Sequence, residues 1–158
     1  MHSLASHWID DVLLASPVAR GLGISVETAE VDRIVARLPY SDDVTTTPGV
    51  MHGGVIATLV DTAGAMASAS GLSPEDGATG GATSHLTVTY LAPAGSALTA
   101  TATVVHRTRS ATVTNVHVCD AQGRPVATGQ VSSRIFRGAR ASGSERAQTE
   151  RRAEAGTG

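Results

Sequence analysis

The sequence predicts an α+β fold, with one helix packed against an antiparallel sheet. Two observations carry this. Residues 54–68 form a run of small and aliphatic side chains at helical spacing, with Ile56, Leu59, Val60, Ala63 and Ala67 on one stripe. Four stretches rich in Thr and Val follow, near residues 82–91, 97–108, 111–120 and 125–136, joined by short turns. Thr and Val favour strands. Consecutive strands on short turns, placed after one apolar helix, favour an antiparallel sheet wrapped around that helix. A chain of 158 residues, 41% of them hydrophobic, suffices for one such domain. The domain is expected over residues 1–137.

The helix is the element that demands explanation. Ala57, Ala65 and Met66 make the rest of its circumference nearly as apolar, so it is expected to be buried all round. Its single charge is Asp61. A carboxylate is seldom buried without a partner, because losing its hydration costs several kcal/mol. A structural partner could be Thr58 or Thr62; otherwise the carboxylate is there to act. At the helix start, His52-Gly53-Gly54 offers no usual capping side chain, so the first amide N–H groups are expected to be bare. Bare amides and the helix dipole together favour a developing negative charge. Gly54 and Asp61 are seven residues apart, about 10 Å along the axis. One helix cannot apply both to one carbonyl, since a base works within about 3 Å. Two antiparallel copies could, which points to a homodimer with its sites at the interface.

The remaining elements follow in order. Residues 4–15, within an N-terminal segment 1–16, read as an amphipathic helix with Leu4, Trp8, Val12 and Ala15 on one stripe, widened by Ile9, and Ser16-Pro17 ends it. Trp8 is expected to anchor this helix to the body. Residues 22–30 and 31–38 read as a hairpin with Ile24, Val26, Ile34, Ala36 and Leu38 inward, and with Glu27, Glu30, Asp32 and Arg33 in solvent near its turn. Residues 39–49 read as a polar loop leading to His52 and lining the site. Residues 70–81 read as a Gly-rich loop, without the Lys-Ser/Thr ending of a phosphate-binding loop. Cys119 reads as a small core residue. Residues 138–158 contain no bulky apolar side chain and read as a disordered tail.

Several function classes are disfavoured. A net charge of −2 gives no electrostatic case for nucleic acid or an anionic membrane surface. No apolar run approaches a membrane span, and the N-terminus lacks the pattern of a signal peptide. A single Cys cannot form an intrachain disulfide, which suits a cytoplasmic location. The six His are scattered without metal-ligand spacing, so no metal is expected. No Gly-x-Ser-x-Gly elbow occurs.

The run Met51-His-Gly-Gly-Val-Ile-Ala-Thr-Leu-Val-Asp61, with the Asp nine residues after the His, resembles the signature of the hotdog-fold acyl-CoA thioesterases of the PaaI-like, phenylacetate-pathway branch. The segment Ala82-Thr-Ser-His-Leu-Thr-Val-Thr-Tyr-Leu-Ala-Pro-Ala94 resembles the strand and Pro turn that follow it there. The resemblance implies a hotdog fold, an antiparallel sheet wrapped around one long central helix. It implies hydrolysis of acyl-CoA thioesters without a cofactor, in a homodimer or homotetramer. Asp61 would be nucleophile or general base, Gly54 would donate its N–H to the thioester oxygen, and His52 and Gly53 would contact or position the substrate. Thr83 aligns with a hydroxyl residue beside the catalytic carboxylate. Thr46 stands where the family commonly has an Asn that orients the thioester. Arg107 and Arg109 are candidates for the coenzyme A phosphates, with Arg134 and Arg137 as rivals. Two alternatives stay open: a non-catalytic acyl-CoA-binding module, and a dehydratase on the same fold.

Overall fold

In the computed structural model, which describes residues 1–138, helix α1 (Ser3–His7) runs into a π-helical stretch, Trp8–Leu14, and helix α2 (Pro17–Leu22) follows. Strands β1 (Ser25–Glu30) and β2 (Arg33–Leu38) form a hairpin. A small ribbon of β3 (Thr45–Thr47) and β4 (Val50–Met51) leads into helix α3 (Gly53–Ser70). Strands β5 (Ala78–Tyr90), β6 (Leu98–Arg107), β7 (Ala111–Asp120) and β8 (Pro125–Arg137) complete the fold. Six strands form one sheet in the order β1-β2-β6-β7-β8-β5, antiparallel at every pairing. The expected tail lies outside the described residues, apart from Gly138.

The core forms where α3 lies on the sheet. Ile56, Leu59, Val60, Ala63, Met66 and Ala67 are buried against inward residues of the strands, among them Ile34, Leu38, Leu98, Val116 and Val131. The helix approaches closely because two glycines allow it. A Cβ on Gly64 would stand 2.5 Å from Val131, and one on Gly129 would stand 2.7 Å from Val60. The expectation of burial all round is corrected. Ala57, Thr58, Asp61, Thr62 and Ala65 form a half-buried flank of α3.

Three further expectations are corrected. The N-terminal segment does not present Val12 and Ala15 inward. Its π-helical winding lengthens the turn, so Ala5 and Ile9 are buried while Val12 is 38% exposed. Ser16-Pro17 ends one helix and also starts the next: Ser16 Oγ accepts from the Ala19 N–H, with Pro at the first helical position. The Gly-rich segment is loop only to Gly77, since β5 already begins at Ala78. Gly80 and Gly81 belong to that strand. A side chain at Gly80 would meet Phe136 and Trp8, and one at Gly81 would meet the Arg134 carbonyl oxygen at 3.0 Å. Cys119 is likewise misassigned. It alternates with the inward residues Val118 and Asp120, so it lies half-buried on the opposite face of the sheet.

Candidate active site

The open flank of α3 forms one wall of a cleft of about 380 Å³. Thr58, Asp61, Thr62, Ala65 and Ala69 come from the helix, and residues 80–83 of β5 face them. Trp8, Val12, Leu13 and Val18 close the outer side, with Leu72 and Ile135 deeper in. The volume falls within the range of small-molecule pockets, which are mainly apolar with a few placed polar groups.

Asp61 is the carboxylate of this cleft. Its Oδ1 accepts a hydrogen bond of 2.6 Å from Thr83 Oγ1. Neither expected structural partner takes that place: Thr58 Oγ1 donates instead to the Gly54 carbonyl oxygen at 2.9 Å, and no bond joins Thr62 to the carboxylate among the described residues. The structure therefore brings together Asp61 and Thr83, twenty-two residues apart in the chain and on different elements. Asp61 Oδ2 has no protein partner among the described residues and is available to a ligand or water.

The start of α3 differs from expectation. His52 is its N-cap, and His52 Nδ1 accepts the Gly54 N–H at 2.8 Å. The Gly54 amide is thus not bare: the imidazole folds back on it, an arrangement that needs glycine, since a Cβ at 54 would lie 2.9 Å from Nδ1. Gly53 is held by Tyr90, whose hydroxyl donates to its carbonyl oxygen at 2.8 Å. His52, Gly53 and Gly54 are absent from the lining of the Asp61 cleft. Within one chain they belong to the other end of the helix, as the 10 Å axial separation requires, at about 1.5 Å per residue.

Thr46 is exposed on β3, and no residue of the 39–49 segment lines the cleft. That segment instead meets the start of α3, where the Val44 carbonyl accepts the His52 N–H at 2.8 Å. Arg107 turns inward. Its guanidinium binds Asp32 Oδ1 and the carbonyls of Ala67 and Ser68, at the C-terminal end of α3. It serves the helix end and is not free for a phosphate. Asp32 is correspondingly not a solvated turn residue; its N–H donates to Ser70 Oγ at 2.9 Å. Arg109 is exposed. Of the rivals, Arg137 is engaged with Asp76 and the Arg109 carbonyl, whereas Arg134 is exposed and lines the cleft.

The amino-acid sequence compares with known proteins as this geometry suggests. The model of the thioesterase superfamily matches residues 48–127, from just before α3 to the start of β8. The chain belongs to the thioesterase superfamily. A protein of Halobacterium salinarum that bears a provisional esterase name is 38% identical over 144 residues, spanning 85% of this chain and 92% of its own. The solved structure of AziG from S. sahachiroi is 33% identical, with a TM-score of 0.70, covering 77% of this chain and 98% of its own. The PaaI protein of E. coli, from the phenylacetic acid degradation operon, is 28% identical with a TM-score of 0.66, covering 82% and 92%. The fold is thus the hotdog fold and the chain a PaaI-like member of this superfamily.

Most of the cleft lining escaped sequence reasoning, Ser133 and Trp8 included. Ser133 lies between Val131 and Ile135 on the inward face of β8, and strand alternation alone would have placed it there. Trp8 was expected only as an anchor. It also lines the cleft, and its indole N–H has no partner among the described residues.

Proposed function

We propose that the chain hydrolyses acyl-CoA thioesters to free acid and coenzyme A, with Asp61 as the catalytic carboxylate. The observation that carries this is Asp61 itself: a carboxylate held by Thr83, with one oxygen open, at the mouth of an apolar cleft sized for an acyl group. Asp61 would take a proton from an attacking water or attack the carbonyl carbon directly. Thr83 holds it in place for either role. The thiolate leaves readily, so one carboxylate and a polarised carbonyl form a sufficient site. Arg134 on the cleft, and Arg109 beyond it, are the guanidinium groups available to coenzyme A phosphates.

A homodimer completes the site. Strand β5 is a sheet edge that runs alongside α3, with Tyr90 at Gly53 and Thr83 at Asp61. Antiparallel pairing of two β5 edges about a two-fold axis exchanges these ends. It sets the Asp61–Thr83 end of one copy against the Gly53–Gly54 end of the other. The thioester oxygen would then take the Gly54 N–H in place of the His52 imidazole, which is exposed and can swing aside. An oxyanion donor of this kind is worth about 3–4 kcal/mol.

The same His52–Gly54 bond favours a second reading, a non-catalytic acyl-CoA binder whose oxyanion donor stays occupied. Release of free thiol from aryl- and alkyl-CoA thioesters, by the wild type and by Asp61→Asn, separates the two. Turnover by the wild type, and loss by orders of magnitude in a folded variant, supports the hydrolase. Binding without thiol release would sink it and leave the binder.

A further inference from the structure

Beneath the C-terminal half of α3, four adjacent strands carry one transverse row of polar side chains. Arg107 of β6 is in register with Thr112 of β7, Thr112 with Ser133 of β8, and Ser133 with Thr83 of β5. Register partners share a sheet face, with Cβ atoms about 5 Å apart. Three of the four reach the helix. Arg107 binds the Ala67 and Ser68 carbonyls. Thr112 Oγ1 donates to Ser68 Oγ at 2.7 Å. Thr83 binds Asp61. Ser133 binds nothing among the described residues: the residue is 5% exposed, its Oγ is shut off from solvent, and it has no hydrogen-bond partner there.

A buried hydroxyl without a partner is penalised, and the fold gains nothing from this one. Its neighbours on the same face, Val131 and Ile135, are apolar, and alanine would occupy the position without loss. Yet Ser133 lines the cleft, one strand away from the Thr83–Asp61 pair.

We propose that Ser133 Oγ–H, turned into the acyl cleft by rotation about χ1, is the donor of a polar subsite there, which selects acyl groups carrying an acceptor oxygen at the fourth or fifth chain atom, counting the thioester carbonyl carbon as the first. This rests on the acyl-CoA reading above and deepens it. The position follows from the row. Ser133 is about 5 Å from Thr83, and Thr83 marks the reacting end. Three bonds of an extended chain advance about 3.8 Å, so the fourth or fifth atom, counting the carbonyl carbon as the first, comes level with Ser133. An alkyl chain there leaves the hydroxyl unpaired, whereas an acceptor oxygen satisfies it. Sites with buried hydrogen-bonding groups reject the analogue lacking the partner more strongly than apolar pockets discriminate by size.

The test uses hexanoyl-CoA and two isosteric ethers, 3-ethoxypropanoyl-CoA and 4-methoxybutanoyl-CoA, which put oxygen at the fourth and fifth chain atoms. The readout is kcat/KM for each ether relative to hexanoyl-CoA, in the wild type and in Ser133→Ala. For at least one ether this ratio falls about tenfold in the variant, the effect of one buried hydrogen bond. Ratios unchanged for both ethers overturn the proposal, including the case where the variant loses all three substrates alike. Ser133→Cys, which keeps the size and only a weak donor, gives an intermediate ratio. Ser133→Ala removes no partnered group, so its thermal midpoint does not fall. If the wild type releases no thiol from any of the three or from the aryl-CoA thioesters above, the hydrolase reading fails. The calorimetric Kd ratios for the same thioesters then decide the subsite, by the same tenfold shift or its absence.

Discussion

Thr83 Oγ1 lies 2.6 Å from Asp61 Oδ1 and ties the outermost strand of the sheet to the middle of the central helix. The hydroxyl has one proton, and it goes to the carboxylate. A hydrogen bond to a charged group is worth about 1.5–3 kcal/mol, or roughly 10- to 100-fold in rate if the carboxylate must keep its orientation. Thr83→Val keeps the volume and loses the hydroxyl, so kcat falls by that factor. Thr83→Ser keeps most of the activity. Thiol-release kinetics on both variants, beside their unfolding curves, check this.

Gly64 permits α3 to press against Val131. Replacing it with alanine gains helix propensity, about 1 kcal/mol. The added methyl would stand 2.5 Å from a buried β-branched side chain in mid-strand, which has little room to yield. Overpacking of this kind costs about 1–3 kcal/mol. Gly64→Ala is therefore destabilised on balance, and its denaturation midpoint falls below that of the wild type.

Arg107 closes the far end of the same helix. Arg107→Ala strips the Ser68 carbonyl of its side-chain donor, leaves the Ala67 carbonyl with the Ser70 hydroxyl alone and leaves Asp32 without a charged partner among the described residues, at a cost of about 2–3 kcal/mol. Chemical denaturation reads that loss. KM for an acyl-CoA separates this role from phosphate binding. It stays near the wild-type value in Arg107→Ala and rises in Arg134→Ala.

Asp120 sets part of the acid limit of stability. Burial pushes its carboxyl up, but the backbone N–H and guanidinium of Arg124 and the N–H of Gln122 outweigh this and hold it below the ordinary Asp value. The unfolded chain thus binds a proton at higher pH than the native one. The contribution is present above the unfolded pKa, about 3.9, and is lost as pH falls through the folded value. Stability measured against pH drops on the acid side, and Asp120→Asn flattens that limb.

The parts of the fold legible in the sequence were those set by periodicity. Helix α3 shows in its apolar spacing, and β6, β7 and β8 show in runs of Thr and Val between short turns. The nearness of Asp61 and Thr83 was legible only through family likeness, since no local pattern links a helix to a strand beyond a loop. What was missed depended on contacts distant in sequence. Gly80 and Gly81 look like loop residues, yet they are strand positions: a Cβ at Gly81 would press on the Arg134 carbonyl oxygen, and one at Gly80 would rest in ordinary contact with Phe136 and Trp8. Arg107 looked solvent-facing because its partner, Asp32, is seventy-five residues away. His52 is an unusual cap, and its hold on Gly54 depends on the missing side chain of the residue it caps.

The chain has one tryptophan, and it stands in the cleft wall. Fluorescence excited at the indole edge therefore comes from a single known place. A thioester entering the cleft displaces water from one face of that ring and changes its emission. Titration without any label, and rapid mixing on the same signal, would follow arrival and departure of the acyl chain separately from thiol release. Binding and chemistry could then be timed in one cuvette.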